Sequence, residues 1–370
     1  MHIPLVDLKA NYLSIKDEID IGIQEIIDTS QFIMGQPLKE FEEEFAKASD
    51  MNHCVGVANG TVAVEMALRA LGVGSGDEVI VPANTFIGTT ESVTNAGGRC
   101  VFVDCDEQTM NIDLAQIEKA ITKKTKAIIP VHMYGQMVDM EQLMKIAEKH
   151  KLSVVEDSAH AHLSSYKGKK PGVISGIATF SFFPAKNLGA FGDAGGIVCT
   201  LDSTAKKLAM MRNHGRIAKY DHEFEGYNYR MDALQAKILS IKLPYLHEWT
   251  EKRRAIAARY DQKLKKLVGI PLVDPDYYHV YYMYVIRTAK RDSLKDHLKS
   301  KGIETGIHYP IPLHLLSAYA YLGHKKGDFP VAEKLTGEIL SIPMYPELTE
   351  EQQEYIIASI NEFFTPNNNI

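Results

Sequence analysis

Residues 78–103 read EVIVPANTFIGTTESVTNAGGRCVFV. Residues 78–81 form a short, mostly apolar run stopped by Pro82, as a buried strand does. Residues 85–96 have the length and composition of a helix, and residues 100–103 return to an apolar run. Strand, helix and strand in that order make a βαβ unit, whose two strands lie parallel and whose crossover is right-handed.

The same alternation extends both ways. Strands are expected at residues 54–58, 127–131 and 152–155, and helices at 62–71, 114–121 and 140–149. Upstream, Ile15, Ile19, Ile23, Ile26 and Ile27 stand at helical spacing, so residues 12–30 read as one helix. A second helix, 38–48, follows the Gly35-Gln36-Pro37 break. Residues 177–200 read strand–loop–strand, and 201–214 read helix. A boundary near Pro244 separates a large unit, 1–244, from a smaller α+β unit, 245–370. The second unit opens on a charged connector helix, 245–267. Then come a strand at 281–287, a helix at 292–301, a loop at 308–314, and helices at 331–340 and 350–363. Thr349 is placed to cap the last helix. The Asn-rich tail, 365–370, reads as frayed. The fold class is α/β, and such sheets bind ligands just beyond the carboxyl ends of their strands.

Bulk composition narrows the function. A length of 370 residues fits about two domains. The formal net charge of -6 favours no nucleic-acid partner, and no basic run marks a membrane surface. No apolar stretch approaches the roughly 20 residues needed to span a bilayer, and the first residues do not resemble a secretory leader. Cys54, Cys100, Cys105 and Cys199 form no CxxC pair and no metal pattern. They read as reduced thiols of a cytoplasmic protein.

The candidate chemistry sits where the sheet rule puts it. Asp157 ends the 152–155 strand. It can cap a helix, or it can face a cation such as a pyridinium nitrogen. Asn59-Gly60-Thr61 opens a helix after a strand, where free N–H groups bind phosphate. It matches neither a Walker loop nor a GxGxxG fingerprint, which counts against ATP and NAD. Phe86, after another strand, can stack on a planar ring or fill the core. In SFFPAKNLGAFGD, residues 181–193, Lys186 lies among Phe182, Phe183, Leu188 and Phe191. Desolvation there would lower the ammonium pKa and free a nucleophilic amine, whereas on a surface loop the side chain would simply snorkel. Ser181 can offer a hydroxyl to a phosphate. Together these parts are those needed to hold pyridoxal 5'-phosphate.

The stretches VEDSAHAH, FSFFPAKNLGAFGDAGG and GYNYRMDALQA resemble the nucleotide-sugar aminotransferases of the DegT/DnrJ/EryC1/StrS group, over nearly the whole chain. The resemblance implies a fold-type I transferase: a large domain with a mostly parallel, mixed seven-stranded sheet, a smaller C-terminal domain, and a homodimer with shared active sites. Lys186 occupies the Schiff-base position, Asp157 faces the pyridine nitrogen, and Phe86 stacks on the ring. Gly60, Thr61 and Ser181 contact the phosphate, and Asn228 reaches the phosphate in the neighbouring subunit. His160 stands near the ring oxygen, where many members have glutamine. Ala185 replaces a common glycine before the lysine. Some relatives carry histidine in place of the lysine and dehydrate instead; the lysine here argues for amino transfer. GIHYPIPLH resembles a segment close to the nucleotide-sugar, which makes His308, Tyr309 and His314 candidate substrate contacts.

The implied reaction is a ping-pong transfer from an amino-acid donor, L-glutamate, to a nucleotide-linked ketosugar, a UDP- or dTDP-linked 3-keto sugar in first place. A 4-keto-6-deoxy sugar is the rival substrate. A sugar dehydratase on the same fold, a non-catalytic regulator and an NAD-dependent sugar enzyme are the rival functions.

Overall fold

The computed structural model describes residues 1–365; most of the Asn-rich tail lies outside them. The strands are β1 His53–Val57, β2 Glu78–Pro82, β3 Arg99–Val103, β4 Thr125–Ile128, β5 Ser153–Val154, β6 Glu156–Asp157, β7 Ser165–Tyr166, β8 Ile177–Ser181, β9 Gly195–Cys199, β10 Arg216–Ala218, β11 Asp221–His222, β12 Tyr277–Tyr278, β13 Tyr284–Arg287 and β14 Ile339–Ile342. The helices are α1 Leu8–Ser14, α2 Lys16–Thr29, α3 Gln36–Ala48, α4 Gly60–Ala70, α5 Ile87–Asn95, α6 Leu114–Ala120, α7 Met140–His150, α8 Asp202–Met211, α9 Ala233–Lys242, α10 Leu246–Leu264, α11 Arg291–Ser300, α12 Pro330–Glu338 and α13 Glu350–Phe364.

Two four-stranded sheets carry the large unit, in the orders β3-β2-β4-β5 and β1-β9-β8-β6. The first is parallel throughout. In the second, β6 and β8 are parallel while β9 runs antiparallel to both β8 and β1. Only Val155 separates β5 from β6. Its N–H still bonds the Ile128 carbonyl at 3.1 Å, and the Asp157 N–H bonds that of Pro130 at 2.9 Å. The two sheets therefore meet along one line, and the carboxyl ends of β2, β6 and β8 open on the same side. Beneath them lies a core that includes Val57, Met66, Val81, Ile129, Val155 and Ile197.

The C-terminal unit has its own core, in which Tyr260, Tyr284, Leu294, Leu340 and Ile356 pack together. Ile3 belongs to this core rather than to its neighbours in sequence. Its N–H bonds the Gly302 carbonyl and its carbonyl accepts from the Glu304 N–H, both at 2.9 Å. The chain thus starts on the second unit and crosses to the first at α1.

Several element expectations shift. The single helix over 12–30 is two helices: the backbone leaves helical geometry at Ile15, whose side chain is buried beside Ile19, Ile238 and Trp249. The helix expected over 331–340 stops at Glu338. Residues 339–342 pair with β13 instead, because Leu340 and Ile342 complete the second core there. Thr349 caps α13 in a reciprocal box with Gln352. All four cysteines are buried and unbridged. No helix among the described residues is long and apolar enough to cross a membrane.

Candidate active site

A cavity of about 770 Å³ opens at the shared strand ends, within the usual size range of small-molecule sites. Gly60, Thr61, Phe86, Asp157, His160, Ser181, Lys186, His308 and Tyr309 all line it.

One end of the cavity is the start of α4. Asn59 caps the helix through its side-chain oxygen, which accepts from the Val62 N–H at 2.9 Å. The earlier N–H groups of the first turn, at Gly60 and Thr61, have no intrahelical acceptor and carry the positive end of the helix dipole. The end of β8 presses directly on them: a Cβ at position 60 would stand 2.6 Å from the Ser181 Cβ. Only glycine fits that approach, which gathers two backbone donors and one hydroxyl into an anion cradle.

Asp157 is 6% exposed at the end of β6. Its Oδ2 accepts from the Thr89 hydroxyl at 2.7 Å, and its Oδ1 from the Ala159 N–H at 3.1 Å. Phe86, which precedes α5, keeps half its surface open over the cavity, with its ring 5.6 Å from that of Tyr309. His160 is buried between the rings of Tyr134 and Tyr282. Its Nδ1 accepts from the Tyr134 N–H at 3.4 Å. That leaves Nε2 to carry the proton, so His160 offers a donor, and burial pushes its pKa well below the usual range.

Lys186 sits on the loop between β8 and β9. Its N–H bonds the Phe183 carbonyl at 2.8 Å. The loop is anchored by Asn187, whose side-chain amide donates to the Val280 carbonyl at 3.0 Å. A Cβ at Gly189 would lie 2.2 Å from the Pro184 carbonyl oxygen, so the loop closes tightly on itself. The side chain is partly buried and reaches the cavity. Desolvation pulls its pKa down to about 7, against the opposing pull of the Asp157 carboxylate. A half-deprotonated amine near neutral pH is the nucleophile that carbonyl chemistry requires.

The opposite wall comes from the C-terminal unit. His308 Nδ1 meets the buried Ser341 hydroxyl at 2.9 Å, and burial, aided by the Lys186 charge, lowers its pKa to about 4. Tyr134 donates its hydroxyl to the His308 carbonyl. His314 does not reach the cavity. It is 2% exposed, pairs with Glu333 at 2.9 Å, and packs edge-on against Phe329. Leu313 docks on the Ala83 carbonyl and turns the residue that follows inward. Of the three histidine and tyrosine candidates from this loop, His314 alone stands outside the cavity lining. Asn228 is exposed and outside the cavity lining, in backbone pairing with Asn213.

Among the lining residues that escaped the sequence reading are Thr89, Tyr282 and Leu5. Thr89 had a readable signal, standing three residues after Phe86 on the same helix start. Tyr282 and Leu5 had none, because each arrives from a distant part of the chain.

The family described as DegT/DnrJ/EryC1/StrS aminotransferase matches residues 13–361. A pleiotropic regulatory protein of Geobacillus stearothermophilus is 49% identical, over 98% of this chain and 99% of that one. A UDP-N-acetyl-3-dehydro-alpha-D-glucosamine 3-aminotransferase of Acidithiobacillus ferrooxidans is 45% identical over 95% of each chain. A dTDP-3-amino-3,4,6-trideoxy-alpha-D-glucose transaminase of Streptomyces venezuelae is 41% identical, over 98% and 96%. Among solved structures, S. venezuelae DesV in complex with a ketimine intermediate superposes with a TM-score of 0.96 at 41% identity, over 98% of each chain. A putative sugar aminotransferase of Streptococcus pneumoniae, in its PLP form, gives 0.89 at 27%, over 93% and 95%. The chain belongs to the DegT/DnrJ/EryC1/StrS aminotransferase family and is an enzyme of that class.

Proposed function

We propose that this aminotransferase uses pyridoxal 5'-phosphate to move an amino group from an amino acid, L-glutamate, to a nucleotide-linked 3-keto sugar carried on UDP or dTDP. One observation carries the reading: the Lys186 amine, which desolvation lowers toward about 7, shares a cavity with a buried carboxylate and a helix-terminus anion cradle. The names of the 45% and 41% identical relatives support the sugar.

The residues fit the cofactor. Gly60, Thr61 and Ser181 would hold its phosphate, and Phe86 would cover its ring. Asp157, fixed by Thr89, would keep the ring nitrogen protonated, and the Nε2 proton of His160 would point to the ring oxygen. When bound, pyridoxal phosphate supplies an aldehyde carbon that condenses with amines and a ring that takes up the electron pair released at carbon. Lys186 Nζ would hold the cofactor through its aldehyde carbon. The Lys186 amine would serve as the base that takes the proton from the donor Cα and as the acid that returns one to the sugar carbon. His308 and Tyr309 would face the sugar nucleotide.

In this reading the two sheets act as the single seven-stranded sheet of a fold-type I enzyme. Residues 1–244 form the cofactor domain and 245–370 the smaller one. Asn228 serves the neighbouring site of a cytoplasmic homodimer. Adding L-glutamate to the purified protein should bleach the yellow absorbance of bound pyridoxal phosphate, and Lys186→Ala should lose both colour and response. An unchanged wild-type spectrum overturns transamination. Assays with UDP- and dTDP-linked 3-keto and 4-keto sugars, with the new amine located by NMR, decide the substrate.

A further inference from the structure

Lys186 Nζ lies 4.3 Å from the centroid of the Tyr282 ring. No hydrogen bond contributes to the amine's proton affinity; burial and the Asp157 carboxylate are the influences on it within its own unit. Tyr282 is 8% exposed, and its ring packs against that of His160 at 4.4 Å and 32°. The ring stands directly before β13, so the C-terminal unit lends it to a lysine carried by the large unit. A cation over the face of a phenol ring is attracted by the ring's quadrupole, most strongly where water is excluded.

We propose that Tyr282 is a positioning residue for Lys186, its ring face being the resting place of the released ammonium and one of the two features that favour the lysine's protonated form. The other charged and titratable groups around the amine fit this role. Asp157, at the end of β6, draws the ammonium the same way. His160 and His162, on the segment after β6, and His308, before β14, oppose a positive charge there, and burial keeps all three imidazoles neutral. Tyr309 is also held neutral by burial, and the Tyr282 hydroxyl is pushed up to about 12. The ring face therefore supplies attraction without a second fixed charge. The lysine can leave the ring for the reacting carbon without breaking an ion pair.

The test is competitive acylation of Lys186 with acetic anhydride across pH, read by mass mapping of its peptide. It uses the full chain carrying the amine form of the cofactor, which leaves the lysine free. The inference rests on Lys186 being the reactive amine, but labelling requires no turnover. Failure to bind pyridoxal phosphate would sink that reading and leave the titration legible in the cofactor-free chain. Tyr282→Leu should lower the midpoint by about 0.5–1 pH unit, the size expected of one cation–π contact. Tyr282→Phe should hold it within about 0.2. Tyr282→Met should follow Leu and serves if the Leu variant folds poorly. An unchanged or raised midpoint in the aliphatic variants overturns the proposal. So does a fall in Phe equal to that in Leu, which would assign the effect to the hydroxyl.

Discussion

Asp157 and His314 are both buried polar side chains, yet only one of them lines the cavity. Asp157 ends a strand of the main sheet, and the strand's direction delivers it to the crevice. His314 follows a series of turns in which a single docked carbonyl, Ala83, decides what points inward. The difference separates the two walls of the site. The strand-end wall is positioned by the sheet as a whole. The wall from the C-terminal unit is positioned contact by contact.

Substitutions can break this contrast, beginning with the largest effect. Lys186→Ala should lower turnover by roughly 10³-fold, the usual worth of a proton-transfer residue, and abolish borohydride trapping of the cofactor at that peptide. Asp157→Asn, which keeps the Thr89 contact but removes the charge, should cost about 10²-fold in kcat with the fold intact by circular dichroism. On the other wall, His308→Ala should raise KM for the sugar nucleotide by about tenfold with a smaller change in kcat. His314→Ala should leave KM unchanged and instead lower stability by about 1–3 kcal/mol, since Glu333 loses its buried partner. A raised KM in the His314 variant would erase the distinction between the walls. The mildest test is pH. In the cofactor-free chain, the desolvation that lowers the Lys186 pKa to about 7 should leave the amine protonated below that pH and free above it. Its acylation should rise through that point, some three units below exposed lysines.

The same contrast governs what could be read from sequence. The βαβ alternation and the residues after its strands were legible because period and position are local properties. Position alone made Gly60, Thr61, Phe86, Asp157, Ser181 and Lys186 candidates, the family resemblance implied their roles, and all six line one cavity. β14 was hidden because Leu335, Ile339 and Leu340 continue a helical spacing, and only pairing with Tyr284–Arg287 turns residues 339–342 into a strand. Ile15 concealed a break for a similar reason: its burial depends on Trp249, more than two hundred residues away. Tyr282 stood in an aromatic run with nothing to mark it, since its partner lies on another loop.

The N-terminal segment gives the site a tether. Ile3 is laced to Gly302 and Glu304, Leu5 and Val6 line the cavity, and the chain then leads into α1 on the other unit. The opening residues therefore tie one wall of the pocket to the C-terminal unit. Any bulky fusion ahead of Met1, or removal of those residues, would slacken the spacing between the lysine and the aromatic ring opposite it while leaving both cores whole.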